Sequence, residues 1–376
     1  MQQFGSNELM EDVINRGLCV GCGMCVDLCP YFKSYLGKTS RLFACDLKRG
    51  RCYAYCPKAE VDLDELSRRY SHSPYEGLPI GLFQRVVMSR AGAKAPKGRF
   101  QGGGSVSAIV AHALTSGSIE AAVLTGHADN EMTAEPIIVT DPGEVVKAAG
   151  SKFMAAPTLS ALNRASRQGL RNIGVVGTPC QMTAIAQMRC NPLDIEEFID
   201  PVGLTVGLFC TWALDTRKLL PLIADCLGDA CILSMDVPPP PAEIMTFETS
   251  SGRAEIPLAR IRPIVPRGCL ICPDMTNEWA DISVGQIEGR AGWNTLIVRN
   301  AKGNEAVKTA VADGFLEVRE LPEGMLHALE KAGTGKKARA LKTAANEGVL
   351  NTPEDKGRAA LRIPSSVVAK ITGVNA

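Results

Sequence analysis

Cys19, Cys22, Cys25 and Cys29 follow one another as C-x2-C-x2-C-x3-C and are followed at once by Pro30. No other segment constrains the chain as much. Thiolates at successive three-residue steps suit the adjacent irons of a cubane cluster, whereas a zinc ribbon uses two separated C-x2-C pairs. The chain has 14 cysteines in 376 residues, and seven of them lie in the first 56. The N-terminus, MQQFGSNELMEDV, carries acidic residues and no apolar run, so it does not read as an export signal. Thiols in a reducing compartment ligate metal rather than form disulfides, and the expected location is the cytoplasm.

In ferredoxin-type modules the last cysteine of such a run serves the other cluster, and a remote Cys-Pro completes the first. Cys56-Pro57 fills that place, which assigns Cys19, Cys22, Cys25 and Cys56 to a first 4Fe–4S cluster. Cys29, Cys45 and Cys52 are left over. Their half of the module reads C-x6-C-x3-C-P and lacks one thiolate. A three-iron cluster, a cluster with a non-cysteine ligand, and no cluster but three small buried thiols all remain open.

Composition excludes several classes. Lys and Arg number 41 against 40 Asp and Glu, a net charge of +1 that gives no general attraction to nucleic acid or an acidic membrane. The most continuous apolar stretch, Val202 to Leu214, is short of the roughly 18 to 20 residues that span a bilayer. Neither nucleic-acid binding nor a membrane span is expected.

Beyond the cysteine-rich segment (1–60), residues 61–100 read as a connector, 101–335 as the main domain and 336–376 as a peripheral helix and tail. In the main domain, helical patterns over Ser105–Leu114, Pro157–Arg167, Gln181–Met188 and Asn304–Val311 alternate with strand patterns. The strands are Ala121–Leu124, Asn172–Gly177, Ile282–Gln286 and Thr295–Arg299, with a hairpin over Glu243–Thr249 and Ala254–Leu258. The fold class is therefore mixed α/β: a small ferredoxin-like segment followed by a mixed-sheet domain.

Within that domain Gln101-Gly102-Gly103-Gly104-Ser105 opens a helix, a setting for phosphate or equally a hinge. Ala148-Ala149-Gly150-Ser151-Lys152 suits a phosphate or a solvated loop. Gly333-Thr334-Gly335-Lys336 is no P-loop, because Glu330 stands where the first glycine is required. Cys180 in a Thr-Pro-Cys-Gln corner, Cys210 at the end of Gly207-Leu208-Phe209-Cys210, and Cys269 with Cys272 in C-x2-C-Pro read either as buried thiols or as a shared cluster. Cys190, Cys226 and Cys231 match no motif and read as small core residues. His127, after Thr125-Gly126 at a strand end, reads as a capping or surface residue or as one that approaches a ligand, and His72, His112 and His327 receive no role.

Six strings, QGGGSVSAIVAHAL, KAAGSKF, VVGTPCQ, VGLFC, RGCLICPDMTNEWADISVG and GWNTLIVRN, occur in order from residue 101 to about 330. Together they resemble the beta subunit of coenzyme F420 (deazaflavin) hydrogenases and of related formate and quinone-linked dehydrogenases. The resemblance implies FAD and a 4Fe–4S cluster in this domain, the cluster held by Cys180, Cys210, Cys269 and Cys272. It implies flavin contacts at Gly102, Gly103, Gly104 and Ser105, at Gly150, Ser151 and Lys152, at Thr178, Pro179 and Gln181, and at Asp281, Ser283 and Gly285. No catalytic side chain is singled out.

The implied function is an oxidoreductase subunit. It exchanges a hydride with a soluble carrier, the deazaflavin, at FAD and passes single electrons through two or three clusters. The implied partners are redox subunits such as a hydrogenase, a formate dehydrogenase or a heterodisulfide reductase. Alternatives are a wiring subunit without a substrate site, and an NAD(P)H-linked or pigment-precursor reductase. No G-x-G-x-x-G follows a strand, so a nicotinamide fingerprint is absent from the sequence.

Overall fold

The computed structural model describes residues 4–127, 133–193, 197–239 and 241–373. Its centre is an eight-stranded mixed sheet. The strands are β1 (Arg85–Ala91), β2 (Ala121–His127), β3 (Ala134–Val139), β4 (Ile173–Gly177), β5 (Val202–Leu208), β6 (Ile282–Gln286), β7 (Asn294–Val298) and β8 (Leu316–Glu320), in the order β8-β1-β7-β6-β5-β4-β2-β3. Strands β2, β4, β5 and β6 run parallel to one another. Strand β7 is antiparallel to both β6 and β1, so β1 shares their direction. Five carboxyl ends therefore open on one edge of the sheet, the edge where α/β proteins place ligands.

Side-chain alternation splits the core into two layers. Val123 and Val175 face helices α1 (Thr158–Arg167) and α2 (Pro179–Cys190), and a bulge after Val202 turns that side chain to the same layer. Leu124, Val176 and Val206 face the opposite layer, which is built on the Ser105–Thr115 and Ala301–Ala312 helices. The hydrophobic periodicity places all these helices within a few residues of their observed bounds. The cysteine-rich segment docks on the first layer, where Val20, Met24 and Tyr55 enter the same core as α1 and α2. Two close approaches fix the seat. A Cβ on Gly23 would stand 2.4 Å from the carbonyl of Pro157, and one on Gly37 would stand 2.7 Å from that of Ala155. Asn163 on α1 donates to the carbonyls of Met24 and Val26, at 2.9 and 2.8 Å.

Two segments differ from the sequence reading. The expected connector holds a helix, Leu63–Ser71, capped by the Asp62 carboxylate, and then β1 itself. Strand β1 carries Arg85 and Arg90, and Arg90 pairs with Glu317 of β8. Those charges hide its alternation. The expected peripheral tail is also part of the core. Met325–Asn346 is one helix, α3, and it buries Gly333, Lys336, Lys337, Ala340 and Leu341. Beyond it Leu361–Arg362 pairs in parallel with Val61–Asp62, and the buried Arg362 meets Glu60 at 2.7 Å. The Gly333–Lys336 string thus lies inside a helix.

Candidate functional site: three sets of cysteines

Cys180 and Cys210 follow the carboxyl ends of neighbouring strands β4 and β5. Cys180 sits in the first turn of α2, behind the N-cap Thr178. Thr178 and Gln181 cap each other, and the Thr178 hydroxyl lies 3.2 Å from the Cys180 sulfur. Cys269 and Cys272 come from a one-turn helix, Arg267–Leu270, and the turn after it. Two side chains bring these loops together. Asn277, fully buried, donates to the carbonyls of Gly177 and Leu208, the roots of the Cys180 and Cys210 loops. Lys336 of α3 donates to the carbonyls of Cys210 and Asp274, at 2.6 and 2.7 Å.

Burial pushes the Cys180 thiol up to about 12, with the Thr178 hydroxyl opposing and the charges of Cys269 and Cys272 adding to the rise. Burial likewise raises Cys210 and Cys269, and Lys336 opposes in both cases. Buried thiols such as Cys180, Cys210 and Cys269, whose thiolates would repel one another, stay protonated unless a multivalent cation holds them as thiolates.

The N-terminal set repeats this chemistry. Burial raises Cys22, Cys25 and Cys56, and each also feels the charge of neighbouring thiols of the set. Cys19, Cys22, Cys25, Cys52 and Cys56 line one cavity together with apolar Leu9, Val13 and Met24. Among the described residues no three ligand groups converge closely enough to hold a single metal ion. The thiols surround a space, as the corners of a cubane require. Cys52 is pushed up to about 11 by burial, with the Tyr53 amide opposing and the charges of Cys29 and Cys45 adding. The leftover three are therefore neighbours.

The sets are also close to each other. Cys25 feels Cys52, and Cys22 feels Cys180 more strongly than it feels any thiol of its own set. Lys58 is buried and lines both the N-terminal cavity and the one beside Cys180 and Cys272. Its charge favours the thiolates of Cys56, Cys180 and Cys269. The order in space is thus Cys29/Cys45/Cys52, then Cys19/Cys22/Cys25/Cys56, then Cys180/Cys210/Cys269/Cys272.

Residues 88–163 match the N-terminal model, and residues 170–324 the C-terminal model, of the coenzyme F420 hydrogenase/dehydrogenase beta subunit. The chain belongs to this family. Residues 12–31 match a 4Fe-4S binding domain, so this family member is an iron–sulfur oxidoreductase. The coenzyme F420 hydrogenase subunit beta of Methanothermobacter thermautotrophicus is 29% identical over 277 residues, 73% of this chain and 98% of that one. The protein of the same name from Methanosarcina barkeri is 28% identical over 247 residues, 65% of this chain and 84% of its own length. A chain in the F420-reducing [NiFe] hydrogenase complex from M. barkeri superposes with a TM-score of 0.65 at 27% identity, covering 71% of this chain and 93% of that chain.

In this F420-family domain the expected flavin residues divide into two groups. Gly102–Ser105 and Gly150–Lys152 lie side by side at the carboxyl edge, joined by Gln101, whose Oε1 accepts from Ser151 N at 2.8 Å. The Ser105–Thr115 helix starts there with Gly104 as its N-cap, which offers no side chain to its first amides. The Ser105 amide at that start donates to Asn294 Oδ1 at 3.3 Å, whereas Gly150 is open, its Cβ position free of neighbours within 4 Å.

Asp281, Ser283, Thr178 and Gln181 are instead committed to the protein interior, so their side chains do not face the two loops. Asp281 accepts from Thr205 and Asn300, and Ser283 bonds Asn277 and Arg299. Gln181 bonds Thr178 and Ala156. Pro179 is the buried first residue of α2, and Gly285 packs against the Phe209 ring. Gly103 also owes its identity to packing: a Cβ there would stand 2.8 Å from the carbonyl of Ser89. Lys152 is buried and points back at the carbonyls of Ala148, Ala149 and Gly150, and burial pulls it down to about 8.

Cys190 is buried in the core, Cys226 is half-buried and packs against the core cluster of Leu219, Ile223 and Phe247, and Cys231 is half-buried. Lys58, Asn277 and Lys336 are the site residues that sequence reasoning missed. Asn277 lay in one of the six resemblance strings and Lys336 in the rejected Gly333–Lys336 string, whereas Lys58 lay in neither.

Proposed function

We propose that the chain is an electron-converting subunit. It takes a hydride from, or gives one to, the deazaflavin F420 at a bound FAD, and relays single electrons through its cysteine sets to or from a partner redox subunit. Hydrogenase, formate dehydrogenase and heterodisulfide reductase are partners of that type. The observation that carries this reading is the unbroken order of the three cysteine sets, which starts at the carboxyl edge of the sheet that also presents the Gly102 and Gly150 loops. FAD would supply the exchange between a hydride and single electrons, and 4Fe–4S clusters would pass the electrons one at a time.

The protein's part is to hold these groups and tune them. Gln101 joins the two loops that would flank the flavin phosphates, and the open turn at Gly150 would leave room for an anion. Asn277 and Lys336 fix the cysteine loops. Lys58 places a positive charge between two cysteine sets, where it favours added negative charge on either.

Cofactor analysis of protein purified without oxygen tests the reading: one FAD together with iron and sulfide is expected, and iron without flavin leaves only a wiring subunit. Gln101→Glu is a sharper probe. It replaces the donor to Asp236 by a second carboxylate beside the phosphate loops, on an exposed side chain that the core does not need. FAD binding is expected to weaken by about 1.5–3 kcal/mol, roughly 10- to 100-fold, with iron content unchanged. Equilibrium dialysis of FAD measures the loss. A wild-type affinity would separate Gln101 from the flavin site.

A further inference from the structure

Four of the nine exposed large hydrophobic side chains among the described residues, Tyr35, Leu42, Phe43 and Leu47, fall within thirteen residues, each with more than half its surface open. They sit on the hairpin Phe32–Tyr35/Lys38–Arg41 and on the loop that carries Cys45. Register places Lys33 and Tyr35 on the outward face of the hairpin, opposite Ser40 and Lys38, and alternation carries the same face on to Leu42. The Leu42 amide bonds the Tyr31 carbonyl, and the Phe43 ring packs edge-on against that of Tyr31, so the loop is held beside the hairpin. Charge is concentrated here too. Residues 31–51 contain Lys33, Lys38, Arg41, Lys48, Arg49 and Arg51 against Asp46 alone, in a chain that is otherwise balanced. The Tyr31 amide lies 3.5 Å from the Cys29 sulfur, and Cys45 belongs to the same loop as Phe43 and Leu47.

We infer that this apolar patch with its basic rim docks a small acidic iron–sulfur protein of the ferredoxin type, and that electrons cross the molecular surface here. The inference rests on the electron-relay reading above. A second copy of the chain is a poor occupant, because it would bring the same basic rim against this one. A solvent-facing apolar patch of limited extent with complementary charge fits a transient redox encounter, which needs less than about 1,200 Å² of buried surface. In each encounter the partner gives up one electron and this protein takes it up, with no atom transferred. Two encounters supply the electron pair of one hydride, and the proton comes from solvent. The reverse direction balances in the same way.

The test uses the full chain with its cofactors, under anaerobic conditions, mixed with a pre-reduced acidic two-cluster ferredoxin. The second-order rate of ferredoxin oxidation is expected to fall as salt is raised. Lys33→Glu/Lys48→Glu is expected to lower that rate at least about tenfold at low salt and to abolish its salt dependence. Phe43→Asp/Leu47→Asp is expected to lower the rate at every salt concentration. In all variants iron content and flavin bleaching by the hydride carrier should match wild type, which separates this surface from the relay: if the hydride side fails in wild type, it is the relay reading that falls. The docking proposal is overturned by wild-type rates in both double variants, or by a wild-type protein inert to the ferredoxin at low salt. Sedimentation showing a dimer that Phe43→Asp dissolves would assign the patch to a second copy instead.

Discussion

Cys272→Ser is expected to remove about four iron atoms from the anaerobically purified protein and to leave the ferredoxin-type signal in place. Wild type should carry about 8 irons if Cys29, Cys45 and Cys52 are only structural, and about 11 to 12 if they hold a third cluster. The separation is predicted because the C-terminal set and the N-terminal set share no ligand, although Cys22 and Cys180 are neighbours. Serine is a poor ligand here because its hydroxyl gives up a proton far less readily than a thiol. Iron and sulfide analysis with electron paramagnetic resonance of the reduced variant reads the outcome. Loss of both sets of signals would show that the two sets form one cooperative unit, and a wild type with about four irons would remove one set altogether.

Lys337→Met is expected to destabilise the protein by about 3–5 kcal/mol. Lys337 is buried on α3, with its ammonium on the Glu278 carboxylate and 3.2 Å from the Tyr75 hydroxyl. Burial opposes the Lys337 charge, and Glu278 more than restores it, so the ammonium is held well above its ordinary range. Removing it leaves the buried carboxylate beside Trp279 and Cys272 without its direct ion-pair partner and with only the weaker influence of Arg299. Glu278→Gln in the same chain should recover most of the loss, since the damage comes from the orphaned charge. Urea unfolding followed by tryptophan fluorescence measures both variants. A single variant as stable as wild type would show that the pair contributes little and that water reaches Glu278.

The outcome bears on how much of this molecule its sequence discloses. Helices and strands with a clean period, such as Ser105–Thr115 and Ile173–Gly177, are legible because burial on one or both faces dictates their pattern. The cysteine sets are legible because ligand spacing is a local property. Lys336 and Lys337 are not, because lysine is so rarely buried that an Ala- and Lys-rich helix reads as a solvated one. Only the long-range approach of α3 to the Cys210 and Cys272 loops makes them interior residues. The run Gly102–Gly104 was legible as a special backbone, but its cause at Gly103 is the neighbouring carbonyl of Ser89. Asp281 and Ser283 lie at the start of a strand that the site needs, Asp281 just before it and Ser283 within it, yet they face Thr205, Asn300 and Arg299. A resemblance carries positions and says nothing of which way a side chain turns.

The proposed function depends on one event, transfer of a hydride at a bound flavin followed by loss of electrons one at a time into the cysteine sets. Rapid anaerobic mixing of oxidised protein with reduced deazaflavin F420, and separately with NADH and NADPH, observes it directly. Flavin bleaching by reduced F420, followed by bleaching of the broad iron–sulfur absorption, is the predicted result, with the second phase changed by Cys272→Ser. Bleaching by a nicotinamide alone, or by neither carrier, would contradict it.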